Sequence, residues 1–261
     1  MNGIDYVESG AGEPVLFIPG SYSTPAAWRP IQKLLPQRWR FIGTSLCGYG
    51  QTDETRTPDD AALAHEVRIV EHAARRAGGG PVHLVGHSFG ATVALACARS
   101  GAVQVASLAL FEANPIALLR DGPHHALFDD ILRVARDFEA AVRSGERDAP
   151  ARIIDFWGGA GAFAAMPPAV QDYCRATAPI NVLDWRGVFG FEFSAADCAA
   201  LDVPVLLVRG ALANAVMVAM TDSIAAHLPR AQPAVVAGAN HFLVSTHAAA
   251  CAELLLGFYR L

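Results

Sequence analysis

The stretch PVHLVGHSFGATVALACARS, residues 81–100, reads as a strand, a tight turn and a helix. PVHLV is a short apolar run, and ATVALACA is a run of small and apolar residues with helical character. Between them lies GHSFG, which fits G-x-S-x-G in the context that pattern requires. Small residues at 86 and 90 let strand and helix approach closely, while Ser88 is held in a strained backbone conformation with its hydroxyl presented. The helix N-terminus behind it offers N–H groups to a developing oxyanion, Phe89 first. Ser88 is therefore a candidate nucleophile. The alternative is an ordinary strand–helix turn that buries a serine.

The same rhythm extends to both sides. EPVLFIPG, WRFIGTSL and VASLALFEANP read as strands, with helices over TPAAWRPIQKLL and PDDAALAHEVRIVEHAARRAGGG. From Ile116 to about Ala200 the pattern turns helical, and Phe128, Ile131, Leu132, Ala135, Phe138 and Val142 share one apolar face. Strand–helix alternation resumes with VPVLLVRG, a helix near 214–228, QPAVVAGANH and a terminal helix around 246–260. Apolar runs separated by helices predict an α/β fold, with a mostly parallel sheet covered by helices on both faces. Residues 1–115 and 201–261 form the expected core, with a helical cap inserted at 116–200.

Composition narrows the function. The chain has 261 residues, 52% of them hydrophobic and 17% charged, enough apolar content for a sizeable core. A net charge of -5 gives no basic field for nucleic acid or anionic lipid. No apolar run is long enough to span a bilayer, and MNGIDYVESGAGEP lacks the basic start and apolar run of a signal peptide. The 5 cysteines are scattered and form no CxxC pair, which suggests reduced thiols in a cytoplasmic protein without a metal site. No cofactor is expected, and the expected partner is a small-molecule substrate. The oligomeric state is left open.

Two further loops carry chemistry. In FIPGSYS, residues 17–23, Gly20 follows a strand, and the backbone N–H of Ser21 is the candidate second oxyanion donor. In GANHFLVSTH, residues 238–247, a Gly–Asn turn places His241 just after the last strand, where it can reach a serine at the same sheet edge. His87 flanks the serine and is expected to point away from it.

With these pieces the chain resembles the α/β-hydrolase fold family over nearly its whole length. The matching residues are Pro19-Gly20, SLCGYGQTD at 45–53, GHSFG at 86–90 and GANH at 238–241, with Pro19 and Ser45 in place of the family's usual histidine and aspartate. The resemblance implies a triad acid after the strand 203–209, yet that loop reads ALAN, and no Asp or Glu follows Asp202 until Asp222. Some relatives carry the acid after an earlier strand, and here LALFEANP ends a strand in Glu112. Glu112 is thus the candidate acid, and Ser88, Glu112, His241 keeps the order serine, acid, histidine. The alternative for Glu112 is a solvated strand-end carboxylate or a helix cap. The implied activity is acyl transfer on an ester, lactone or thioester. A small-molecule receptor on the same fold, or a pseudo-enzyme, is the competing expectation.

Overall fold

A computed structural model describes residues 3–36 and 38–259. The strands are β1 (Val7–Ser9), β2 (Glu13–Ile18), β3 (Trp39–Gly43), β4 (Val82–His87), β5 (Val105–Phe111), β6 (Val205–Gly210) and β7 (Ala231–Val236). They form one sheet in the order β1-β3-β2-β4-β5-β6-β7, parallel except for β1, which runs antiparallel to β3. The short, exposed β1 was not anticipated from the sequence, because three residues facing water leave no hydrophobic period to read.

The strands bury alternate residues on opposite faces, as a period of two requires. Leu16, Ile18, Leu84, Leu108, Leu110, Val205 and Leu207 belong to one core. There they meet α2 (Ala64–Arg76) and α3 (Phe89–Ser100), the latter rich in small residues that let it lie close to the sheet. Phe17, Val85, Phe111, Leu206 and Val208 belong to the other core. They pack on Trp28, on α1 (Arg29–Gln32) and on the C-terminal helices. A sheet covered on both faces reads as near-continuous apolar runs, which is why its strands were legible. β7 carries Pro233, tolerated at a sheet edge where no further strand needs its N–H.

Between β5 and β6 the chain is helical: α4 (His125–Arg143), α5 (Ala151–Gly158), α6 (Pro168–Ala176), α7 (Ala178–Phe189) and α8 (Ala195–Ala199). The expected face of α4 is packed inward through Ile131, Ala135 and Phe138. After β6 come α9 (Ala215–His227), then α10 (Leu243–Thr246) and α11 (Ala248–Phe258). The terminal helix expected around 246–260 is α11, preceded by the one-turn α10, and position 260 lies outside the described residues. Met1 and Asn2, part of the N-terminal reading, also lie outside them. No helix among the described residues is long and apolar enough to cross a membrane.

The β4–α3 junction is closely packed. A Cβ on Gly90 would sit 2.3 Å from the carbonyl oxygen of Pro19, and one on Gly86 would sit 2.5 Å from that of Gly90. Backbone cannot yield as a flexible side chain can. Gly90→Ala should therefore cost about 1–3 kcal/mol through overpacking, read as a lower urea midpoint. A wild-type unfolding curve would contradict this account of the junction.

Candidate functional site

Strand register brings the candidate residues together. His87 on β4 pairs with Phe111 on β5, and Phe111 pairs with Val208 on β6. Ser88 and Glu112 are each the first residue beyond their strand, so they stand side by side at the carboxyl edge of the sheet. The N–H of Ser88 donates to the Phe111 carbonyl at 2.8 Å, and the N–H of Glu112 to the Val208 carbonyl at 2.8 Å. Both residues leave the sheet in the left-handed region, with φ of 53° for Ser88 and 52° for Glu112. Tyr22 (φ 59°), on the loop after β2, completes the set of non-glycine residues with positive φ among the described residues. Each such residue costs of order 1–3 kcal/mol and persists only where its surroundings hold it.

His241 bridges the pair. Its Nε2 is 2.9 Å from Ser88 Oγ and its Nδ1 is 2.6 Å from Glu112 Oε2. The other oxygen, Oε1, accepts the Gly210 N–H at 2.7 Å. Burial would raise the Glu112 carboxyl, but the His241 hydrogen bond and charge, with the Gly210 N–H, hold it below the usual carboxylate range. An ionised Glu112 only accepts, so Nδ1 carries the proton and Nε2 is free to accept from Ser88. Glu112 is fully buried, and its two carboxylate oxygens accept from Gly210 and His241, so it is neither a solvated strand end nor a cap for the insertion. The ALAN loop has a different task. Asn214 Oδ1 accepts the Met217 N–H to cap α9, and its Nδ2 donates to the Phe156 carbonyl.

The loop after β2 lies against the serine: a Cβ on Gly20 would be 3.2 Å from Ser88 Cβ. Among the described residues, no acceptor partners the N–H of Ser21 or of Phe89. His87 does not point away from the site as expected. It lines the same cavity, and its Nε2 donates to the His241 carbonyl at 2.9 Å. Burial, then the nearby His241, pushes the His87 pKa down to about 3, so the ring is a neutral prop for the histidine loop. The expectation failed because His87 is the last residue of β4, and from there its ring reaches the loop that follows β7, a strand not adjacent to β4.

The insertion supplies the opposite wall. Trp157 of α5 stacks on the His241 ring at 5.1 Å and 23°, and Trp185 of α7 stacks on Trp157 at 6.1 Å and 11°. The cavity between the two walls, about 240 Å³, is lined by Ser21, Tyr22, Ser88, Trp157, Asn181 and Asp184 among others. Sequence reading missed Asp184. Its Oδ2 accepts from Ser21 Oγ at 2.5 Å, Tyr49 Oη at 2.6 Å and Asn181 Nδ2 at 3.1 Å, and its Oδ1 from Arg56 Nη1 at 2.7 Å. A buried acid among apolar helix residues was the available signal, but nothing local ties position 184 to position 56.

Arg56 also meets Glu54 and Glu66, so three carboxylates share one guanidinium. Glu66 is fully buried, and burial raises its pKa to about 7 despite Arg56. Since an ordinary glutamate titrates near about 4.3, the folded state holds a proton over that interval which the unfolded state has lost. Stability should then fall as pH rises from about 4.3 to about 7. Glu66→Gln should flatten this slope in urea unfolding followed across the interval, and an unchanged slope would refute the assignment.

Comparison with known proteins agrees with this architecture. The pattern of the alpha/beta hydrolase family matches residues 15–254. A stretch of 88 residues, 34% of this chain, is 32% identical to the (E)-2-((N-methylformamido)methylene)succinate hydrolase of Acinetobacter baylyi, of which it spans 33%. Among solved structures, an alpha/beta hydrolase from Sphaerobacter thermophilus superposes with a TM-score of 0.74 at 24% identity, over 98% of this chain and 96% of that one. A thermophilic esterase from Thermogutta terrifontis superposes with a TM-score of 0.80 at 21% identity, over 98% and 93%. By a family match that runs from β2 into α11, on a sheet of the same fold, the chain belongs to the alpha/beta hydrolase family.

Proposed function

We propose that this protein is a serine hydrolase acting by acyl transfer on a small, largely apolar ester, lactone or thioester. The observation that carries the reading is the unbroken chain of hydrogen bonds from Ser88 through His241 to Glu112, at the wall of a cavity with two unpartnered N–H groups. Ser88 Oγ attacks the carbonyl carbon while His241 Nε2 takes its proton. The oxyanion is held by the N–H groups of Ser21 and Phe89. The intermediate collapses, His241 returns the proton to the departing alcohol or thiol, and an acyl-serine remains. Water, deprotonated by His241, then releases the acid and regenerates Ser88. Glu112 fixes the histidine tautomer and balances the imidazolium charge.

The inserted helices act as a cap, and Trp157 offers its face to the imidazolium. The Acinetobacter baylyi relative is named for a succinate. Among the described residues no lysine or arginine lines the present cavity to pair with carboxylates, so that substrate is not carried over.

Ser88→Ala should abolish both hydrolysis of 4-nitrophenyl esters and covalent labelling by a fluorophosphonate. Labelling that persists in this variant would overturn the nucleophile assignment. Glu112→Gln should retain the fold by circular dichroism and lose turnover on the order of 10⁴-fold. Wild-type turnover in that variant would place the acid elsewhere. Trp157→Ala should lower kcat by roughly 3–30-fold, the range of an aromatic face stacked on a cation.

A further inference from the structure

The cavity holds polar atoms that neither the fold nor the proposed chemistry uses. Asn181, on α7, is only 1% exposed, yet its Oδ1 has no hydrogen-bond partner among the described residues. The orientation of its amide follows from its neighbour: Nδ2 donates to the Asp184 carboxylate, which can only accept, so Oδ1 is the atom left over. Tyr22 Oη is likewise buried and unpartnered. Both residues line the cavity that contains Ser88. Burial above all, then Cys174 and Asp184, keeps the Tyr22 phenol protonated far above its ordinary range, so it both donates and accepts.

These atoms discriminate between substrates. In the free protein both atoms are buried without a partner among the described residues. A substrate that sets a methyl or methylene group against them leaves both unpaired, and an unmade buried hydrogen bond costs more than a made one gains. A carboxylate fares no better. It has no proton for Asn181 Oδ1, and among the described residues no lysine or arginine lines the cavity to pair with it. A hydroxyl, which both donates and accepts, can pair with either atom: it donates to Asn181 Oδ1, and it donates to or accepts from Tyr22 Oη. The rest of the lining, including Ile153, Ile154, Met166 and Val188, suits an apolar body.

We infer that Asn181 and Tyr22 form a polar subsite selecting neutral substrates that carry a hydroxyl group remote from the scissile carbonyl. The inference rests on the reading of Ser88 as nucleophile. Neither residue touches the reacting atoms. Their effect is on which substrate is held.

The test uses three 4-nitrophenyl esters with one leaving group and one chain length: hexanoate, 6-hydroxyhexanoate and the monoester of adipic acid. They end in a methyl, a hydroxymethyl and a carboxylate. Wild-type protein should favour the hydroxy ester over hexanoate about tenfold in kcat/KM, through KM, and should disfavour the adipate. In Asn181→Leu and in Tyr22→Phe the ratio of hydroxy ester to hexanoate should fall towards unity, and in the double variant it should reach it. Fluorophosphonate labelling of Ser88 is measured on every variant. Labelled wild-type protein that shows no preference for the hydroxy ester, or prefers the adipate, overturns the subsite and leaves the serine hydrolase reading intact. A preference that survives in the double variant also overturns it. No labelling and no turnover of any ester overturns the underlying reading.

Discussion

Parallel register between β4, β5 and β6 is the constraint on which the site depends. Pairing His87 with Phe111 and Phe111 with Val208 lets the next residues, Ser88 and Glu112, leave the sheet at one level, each tied by its N–H to the neighbouring strand. A shift of one residue would turn every side chain of a strand to the opposite face. It would exchange the apolar sets that meet α3 on one side and Trp28 on the other. The cost of that exchange, spread over two cores, is what holds the edge residues in place. The carboxylate needs no place after β6, because β5 lies between β4 and β6. What β6 contributes instead is the Gly210 N–H, donated to Glu112.

Strain is gathered where the hydrogen-bond chain is. Ser88, Glu112 and Tyr22 all adopt left-handed backbone conformations that side-chain-bearing residues avoid. They are held by different means. Ser88 is pressed between Gly86 and Gly90, where no Cβ would fit. Glu112 is held by three hydrogen bonds, two through its carboxylate and one through its N–H. Tyr22 follows Ser21, whose hydroxyl is anchored on Asp184. The loops that face the cavity are thus fixed by contacts made before any ligand arrives, as preorganised hydrogen-bond donors require.

The insertion is bound to the core by charge as well as by apolar packing. Asp184 takes hydrogen bonds from the loops after β2 and β3 as well as from its own helix, and Arg56 beneath it answers three carboxylates. Replacing one partner of such a buried set leaves a charge uncompensated, so its members act as a unit. Asn240 adds a second tie, donating to the Gly158 carbonyl beside His241. Through these contacts the orientation of α5 and α7 is coupled to the loops that carry Ser21 and His241, and the aromatic stack from Trp185 through Trp157 onto His241 is held from both ends.

Much of this was legible in the sequence. Apolar runs at a strand period, broken by helices, are the direct imprint of a sheet buried on both faces, and they located six of the strands of the described sheet. GHSFG, Glu112 and His241 could be singled out because each follows such a run, where the carboxyl ends of parallel strands converge. The missing acid after β6 could be noticed for the same reason. The contacts of residues far apart in the chain could not be read. Arg56 and Asp184 are each unremarkable in their own segments, and their pairing exists only because α7 folds back over the loop after β3. The direction of the His87 ring, the orphaned oxygen of Asn181 and the stacking of Trp157 on His241 belong to the same class. Local periodicity records whether a residue is buried, because burial repeats along an element. Which partner it meets there is decided by the packing of elements from distant parts of the chain.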